Sequence, residues 1–218
     1  MQDLGMFYEG SLPPELFEQL LAGEVPETIG EIFPEEIPVS FSDDIESVMA
    51  EVNVKQKSFQ IHGNIAELGM YGVITKEMAR QIASVLPPAA VLVDPCAGRG
   101  FFAKAMRELG FTVIAGDREP DRPITEILAM DALKTIDLVK EEDNAVLCMI
   151  WMPRGKLDYR LAKRWGDRPI LCLGDDGEVT GSSAFASGFE GECEDLPASP
   201  LLHVRDYWSL GRFSESES

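Results

Sequence analysis

The sequence predicts an α/β protein: a doubly wound, mostly parallel sheet with helices on both faces, preceded by an acidic N-terminal extension. Three observations carry this. Residues 89–93, 111–115, 145–151 and 169–173 are apolar runs without alternation, as strands covered on both faces should look. Between several of them lie stretches with apolar residues at helical spacing, so strand, helix and strand alternate along the chain. The 218 residues are 45% apolar and 26% charged, enough for one sizeable domain with an extension and unlike a disordered or collagen-like chain.

The extension, residues 1–68, comes first. Its first 60 residues carry 13 acidic and 2 basic side chains, net −11, against net −8 for all the rest. Pro13, Pro14, Pro26, Pro34 and Pro38 punctuate it. One short helix is expected over 14–21, with Leu16, Leu20 and Leu21 on one side, and a second over 42–52, where Ser42 followed by Glu46 makes an imperfect cap. The segment reads as an appendage packed partly on the main domain; a mostly disordered tail is the alternative.

The main domain, 69–218, is regular from Thr75 onward. Thr75 is a good N-cap, and Met78, Ile82, Val85 and Leu86 recur at helical spacing until Pro87-Pro88 stops the helix. The strand over 89–93 ends at Asp94. Phe102, Ala105, Met106 and Leu109 form one face of the next helix, closed by Gly110. The strand over 111–115 leads into Gly116-Asp117. A helix over 156–165 separates the strands over 145–151 and 169–173, and a further helix begins near Ser182. Residues 201–210 read as one last strand and the closing Ser-Glu-Ser-Glu-Ser as a solvated tail.

Charge and cysteine usage exclude several classes. With 38 Asp and Glu against 19 Lys and Arg, the chain carries −19 and a pI near 4.4. Such a surface repels phosphate backbones and anionic membranes, so nucleic acid is a disfavoured partner and a membrane is not expected. A basic protein is compatible with it. Cys96, Cys148, Cys172 and Cys193 form no CxxC pair, and His62 and His203 are the only histidines, so no metal site is expected. No basic leader and no run approaching the ~20 apolar residues of a membrane helix is visible. A cytoplasmic, reducing setting is the expectation.

In an open parallel sheet, ligands bind beyond the carboxyl ends of the strands. After the first strand comes Asp94-Pro-Cys-Ala-Gly-Arg-Gly100, and Gly98 and Gly100 permit a tight turn and close approach of a ligand. The second signal is Asp117, at the end of the next strand, 17 residues after Gly100. A carboxylate there can accept both hydroxyls of a ribose; a helix cap or exposed turn is its bland alternative. Asp94 chooses among nucleosides. A negative charge beside the glycines repels a pyrophosphate, which opposes a nicotinamide dinucleotide, and suits a ligand carrying an ammonium group.

These residues resemble the class I S-adenosylmethionine-dependent methyltransferases, a Rossmann-like family. The matching stretches are residues 91–102 (Val-Leu-Val-Asp-Pro-Cys-Ala-Gly-Arg-Gly-Phe-Phe), Val-Ile-Ala-Gly-Asp117, and Met130-Asp131-Ala132, within a resemblance spanning Tyr71 to Asp176. It implies S-adenosyl-L-methionine as cofactor. Asp94, Pro95, Cys96, Ala97, Gly98 and Gly100 would shape the methionine pocket, and Asp117 would hold the ribose. Asp131 and Ala132 would flank the adenine, with Tyr71 of Gly69-Met-Tyr-Gly72 closing over the methionine end. It also implies methyl transfer to an acceptor, protein or small molecule rather than nucleic acid, with Trp151, Met152 and Pro153 facing that acceptor.

The departures are equally plain. Many amino-group methyltransferases carry an Asn/Asp-Pro-Pro-aromatic motif after the fourth strand; here Ile150-Trp-Met-Pro-Arg154 keeps a proline and an aromatic but lacks the polar residue. Methyl transfer to a good nucleophile needs little beyond positioning. A catalytically inactive binding module of this fold, acting through its acidic surface, is therefore the alternative function. Asp175 or Asp176 offers a site for a cationic group, or simply part of a loop capping the helix near Ser182. The family's sheet usually ends in an antiparallel hairpin, for which only one strand is evident: either residues 190–200 are a long loop or the sheet is abbreviated. His203 reads as a strand side chain, and His62 as structural.

Overall fold

A computed structural model describes residues 12–29, 45–175, 177, 179–191, 193, 195–198, 201 and 206–214. In chain order the elements are α1 (Pro14–Leu21), α2 (Ile45–Glu67), α3 (Lys76–Val85), β1 (Val91–Asp94), α4 (Phe101–Glu108), β2 (Thr112–Asp117) and β3 (Leu128–Ala129). There follow α5 (Ala132–Asp137), β4 (Ala145–Ile150), α6 (Leu157–Trp165), β5 (Ile170–Gly174), α7 (Ser183–Ala186), β6 (Phe189–Gly191) and β7 (Tyr207–Phe213).

The strands make one sheet in the order β3-β2-β1-β4-β5-β7-β6. β1, β2, β3, β4 and β5 pair in parallel, while β7 runs antiparallel to both β5 and β6. The chain leaves β1 towards β2 on one side and returns to β4 on the other, so the switch in strand order lies between β1 and β4. Crevices for ligands open at such points.

Period-two alternation divides the strand residues between two cores. Leu92, Val113, Val146, Cys148 and Leu171 join residues of α1, α2, α3 and α4 in one buried cluster. Val93, Leu147, Met149 and Ile170 join α5 and α6 in the other. This is the three-layer arrangement expected from unalternating apolar strands.

The N-terminal residues contribute to the first of these cores. Leu12, Leu16, Leu20, Val25 and Ile29 are buried in it. Pro26 O and Glu27 O accept the Lys76 and Glu77 N–H groups, and Arg80 pairs with Glu27. Of the helix expected over 42–52, Ser42 and the two residues after it lie outside the described residues, and from Ile45 the helix runs on to Glu67. Ser58, Ile61, Ile65 and Leu68 are buried at spacings of three and four, the stripe of a helix lying on a core. It ends where Gly69 takes φ +85°: the Gly69 N–H donates to Ala66 O at 2.8 Å and the Met70 N–H to Ile65 O at 3.1 Å, a Schellman closure.

Three further elements depart from the sequence expectation. β3 is a two-residue strand held by pairs to Gly116 and Asp117. α5 begins immediately after Asp131. The closing hairpin is complete, because Phe189–Gly191 supplies β6 against the end of β7, so the sheet is not abbreviated. Asp176 and His203 lie outside the described residues.

Candidate active site at the strand-order switch

The turn after β1 is built on glycine. Gly98 has φ +55° and Gly100 φ +91°, conformations that cost side-chain-bearing residues energy. The two differ in what surrounds them. A Cβ on Gly100 would meet Thr125 Cγ2 at 2.8 Å and Ile127 Cδ1 at 2.9 Å, so Gly100 serves the packing of the 124–127 loop. A Cβ on Gly98 would meet only the Tyr71 ring, at 3.6 Å.

Gly98 and Asp117 meet as their spacing suggests. The Gly98 N–H donates to Asp117 Oδ2 at 2.9 Å, and the Glu119 N–H donates to Oδ1 at 3.0 Å. One backbone donor on each oxygen fixes the carboxylate and leaves further lone pairs on both. Ala97 N–H donates to Gly116 O at 2.9 Å, locking the two loops together. Gly98, Asp117 and Tyr71 line a cavity of about 410 Å³ with Glu67, Glu119 and Arg122.

Beneath it lies a second space of about 30 Å³, lined by Asp94, Cys96, Ala97, Tyr71 and Ile150. Asp94 is 1% exposed, and among the described residues its Oδ1 has no hydrogen-bond partner. Burial pushes its carboxyl up to about 7; the Asp117 charge adds to the rise, while the Cys96 N–H and Arg107 oppose it. Burial, with the Asp94 and Asp117 carboxylates, likewise pushes the Cys96 thiol up to about 12, which disfavours its thiolate at neutral pH.

Arg99, between the two glycines, is a residue that sequence reasoning misses. It is 7% exposed and donates to Leu68 O, to Leu20 O at 3.4 Å and to Arg122 O at 3.1 Å. Two of these carbonyls belong to the C-terminal ends of α1 and α2, where a cation meets the negative end of the helix dipole. Only the Gly-Arg-Gly context could have marked it, since a buried arginine has no sequence signature of its own.

Other expected site residues are used differently. Asp131 is the N-cap of α5: its Oδ1 accepts the Leu133 N–H at 3.0 Å and its Oδ2 stands 3.9 Å from Arg118. Ala132 is buried in the α5–α6 core. Neither residue lines the two cavities, nor does Pro95.

Trp151, Met152 and Pro153 diverge. Trp151 has φ +50° and its N–H donates to Leu173 O at 2.8 Å. Its indole Nε1–H donates to Asp206 Oδ1 at 2.5 Å, and its ring lies against His62, centroids 4.5 Å apart. The absence of a Cβ at Gly72 makes room, since one would stand 2.5 Å from Trp151 Cδ1. His62 Nε2 donates to Tyr71 O at 2.7 Å, and burial lowers the imidazole's pKa. Asp206 is buried, and burial pushes it up to about 6 against the Trp151 and Val73 N–H donors. Met152 is buried in the core on the opposite side of the sheet, and Pro153 is exposed.

Asp175 is held by its own loop. Gly177, Val179 and Thr180 N–H groups and the Thr180 hydroxyl all donate to it. Burial raises its pKa, but these donors outweigh it and hold the carboxyl below its ordinary range. Ser182 caps α7, donated to by the Phe185 N–H at 3.2 Å.

Among the described residues, no group of three or more His, Cys, Asp or Glu is placed to hold a metal ion, and no helix is long and apolar enough to cross a membrane. No protein-family model and no curated protein matches the chain.

Proposed function

We propose that the chain is an S-adenosyl-L-methionine-dependent methyltransferase acting on an acceptor that is a protein or small molecule. The observation that carries this reading is Asp94: a fully buried carboxylate with a bare oxygen, beside the Gly98–Asp117 contact at the strand-order switch. A buried unsatisfied carboxylate costs several kcal/mol, and a ligand's ammonium group would relieve it. The antiparallel β6–β7 hairpin that ends the sheet also fits the family's usual finish.

In this reading Asp117 accepts the ribose hydroxyls, Asp94 faces the ammonium group, and the glycine turn lets the ligand approach the backbone at Gly98. The chemistry the cofactor supplies is an electrophilic methyl group on a sulfonium centre. The inner space has room for about two waters, so Gly69–Gly72 and the Tyr71 side chain must move outward to admit the methionine end. Trp151, its Nε1–H committed to Asp206, is no acid or base in this reading, and it reaches the acceptor only once that turn has moved, since it lines neither cavity.

A second reading, a binding module of the same fold without turnover, is favoured by that committed Trp151 and by the missing polar residue before Pro153. Cofactor binding without methyl incorporation into any acceptor pool is its signature.

Calorimetric titration with S-adenosyl-L-methionine and S-adenosylhomocysteine tests the leading reading. Micromolar binding by the wild type is expected, with Asp117→Ala weakened by about 1.5–3 kcal/mol, the scale of a charged hydrogen-bonding partner. Equal binding by the variant removes the ribose assignment.

A further inference from the structure

We propose that a second cleft, between the carboxyl ends of β4 and β5, α7 and β7, binds a small organic cation: an ammonium group on an apolar body, with Asp175 and Asp158 as its counter-charges. The cleft encloses about 190 Å³, below the ~300 Å³ at which pockets for drug-sized ligands begin. It shares no lining residue with the two cavities around Asp94 and Asp117, so the inference stands apart from the function proposed above.

Its floor is apolar. Met149, Met152, Leu173, Phe185 and Phe189 line it, with the Phe185 and Phe189 rings 5.1 Å apart, centroid to centroid. Tyr207, also in the lining, is 60% exposed. Such a surface takes an aromatic ring or a short aliphatic chain, and aromatic faces attract a cation.

The charge of the lining is negative. Among the described residues, Asp158 and Asp175 are the charged side chains that line the cleft, and no Lys, Arg or His does. From Ile170 to Gly191 the chain carries four acidic side chains and no basic one; two of the four, Asp176 and Glu178, lie outside the described residues. Arg154 and Lys156 stand in the neighbouring turn, where the Gly155 N–H donates to Gly181 O at 3.2 Å, and they do not enter the lining.

Each carboxylate can accept a further donor. Asp158 is 1% exposed. Its Oδ1 takes the Ser182 hydroxyl at 2.8 Å and the Tyr159 N–H at 2.7 Å, whereas among the described residues its Oδ2 takes only the Ser182 N–H at 2.6 Å. Asp175 is asymmetric in the same way: three of its four donors reach Oδ1, and only the Val179 N–H, at 2.7 Å, reaches Oδ2. A carboxylate oxygen accepts about two hydrogen bonds, so the Oδ2 of each has capacity left. The N–H donors also favour the ionised form, and at Asp175 they outweigh burial. An ammonium group brings the additional donors and the opposite charge together; a carboxylate or phosphate would meet two like charges.

The test is an amide NMR titration of the full-length labelled protein with phenethylamine, 2-phenylethanol and phenylacetate, three ligands of similar shape with a positive, a neutral and a negative head. Phenethylamine is expected to shift the Gly177, Val179, Gly181 and Ser182 signals saturably and phenylacetate to leave them in place. The alcohol should bind roughly tenfold more weakly than the amine, the worth of a charged hydrogen-bonding partner. Added salt should weaken the amine and spare the alcohol. Asp175→Asn should bring the amine down to the affinity of the alcohol, and Ala186→Phe, which fills the cleft and keeps both carboxylates, should abolish binding of either. Equal binding of amine and alcohol would mean an apolar cleft that does not recognise charge, and overturns the proposal. Preference for phenylacetate, wild-type amine affinity in Asp175→Asn, or no shift at the cleft signals overturns it as well. The three-ligand comparison is made on the wild type, so it decides the matter whatever Asp175→Asn does to its loop.

Discussion

Replacing Asp94 with asparagine should make the protein more stable, and increasingly so as the pH rises. The carboxyl titrates at about 7 in the folded chain against 3.8 when free. At 1.36 kcal/mol per unit this difference corresponds to about 4 kcal/mol of folding free energy lost once the pH exceeds 7. The sign follows from proton counting. Between pH 3.8 and 7 the native state holds the proton and the unfolded state has released it, so stability falls as pH rises through that window. The asparagine side chain does not titrate, so the variant escapes this loss, and about 2 kcal/mol of its advantage should accrue between pH 5.5 and pH 8. Urea unfolding followed by tryptophan fluorescence at those two pH values measures it. A stability difference between variant and wild type that is unchanged from pH 5.5 to pH 8, or that moves against the variant, refutes the reasoning about the buried carboxylate. A residue that destabilises the fold at neutral pH points to a role other than folding.

Arg99→Met should cost about 3–5 kcal/mol in urea unfolding, because it strands the Leu20, Leu68 and Arg122 carbonyls that the guanidinium serves; a loss below 0.5 kcal/mol would mean those bonds contribute little. Trp151→Phe removes the Nε1–H donor from buried Asp206, whose carboxyl is already up to about 6. It should destabilise by about 1–3 kcal/mol, more at pH 8 than at pH 5, since the carboxylate form then keeps only the Val73 N–H; comparing unfolding at the two pH values checks it. A chain beginning at Gly69 should give no cooperative thermal transition, as it discards Leu16, Leu20, Ile61 and Ile65 from the core.

What the sequence made legible was whatever is encoded locally. β1, β2, β4 and β5 are unbroken apolar runs, and α3, α4 and α6 carry regular stripes between recognisable stops. The Gly98–Asp117 contact was legible too, because two strand ends in adjacent parallel strands must come together. What escaped depends on distant partners. β3 and β6, two and three residues long, exist because β2 and β7 offer them an edge. Trp151 could be read as wall or core from its neighbours, but its partner Asp206 lies 55 residues away. Asp131 shows a different case: an aspartate opening a helix was a cap signal in plain view, passed over beside the family resemblance that sets it by the adenine. The length of α2 was missed for the same kind of reason, since the buried stripe from Ser58 to Leu68 crosses the point where the charge density changes.

The most direct test of the proposed function is the affinity for S-adenosyl-L-methionine between pH 5.5 and pH 7, in wild type and in Asp94→Asn. If Asp94 receives the ligand's ammonium group, only its ionised form binds well. Wild-type affinity should then rise about tenfold across that range as the carboxylate fraction grows, with proton release on binding, while the variant should bind weakly at both ends. Absence of binding by the wild type, or an affinity that is flat with pH and unchanged in Asp94→Asn, would contradict the assignment of this crevice to the cofactor.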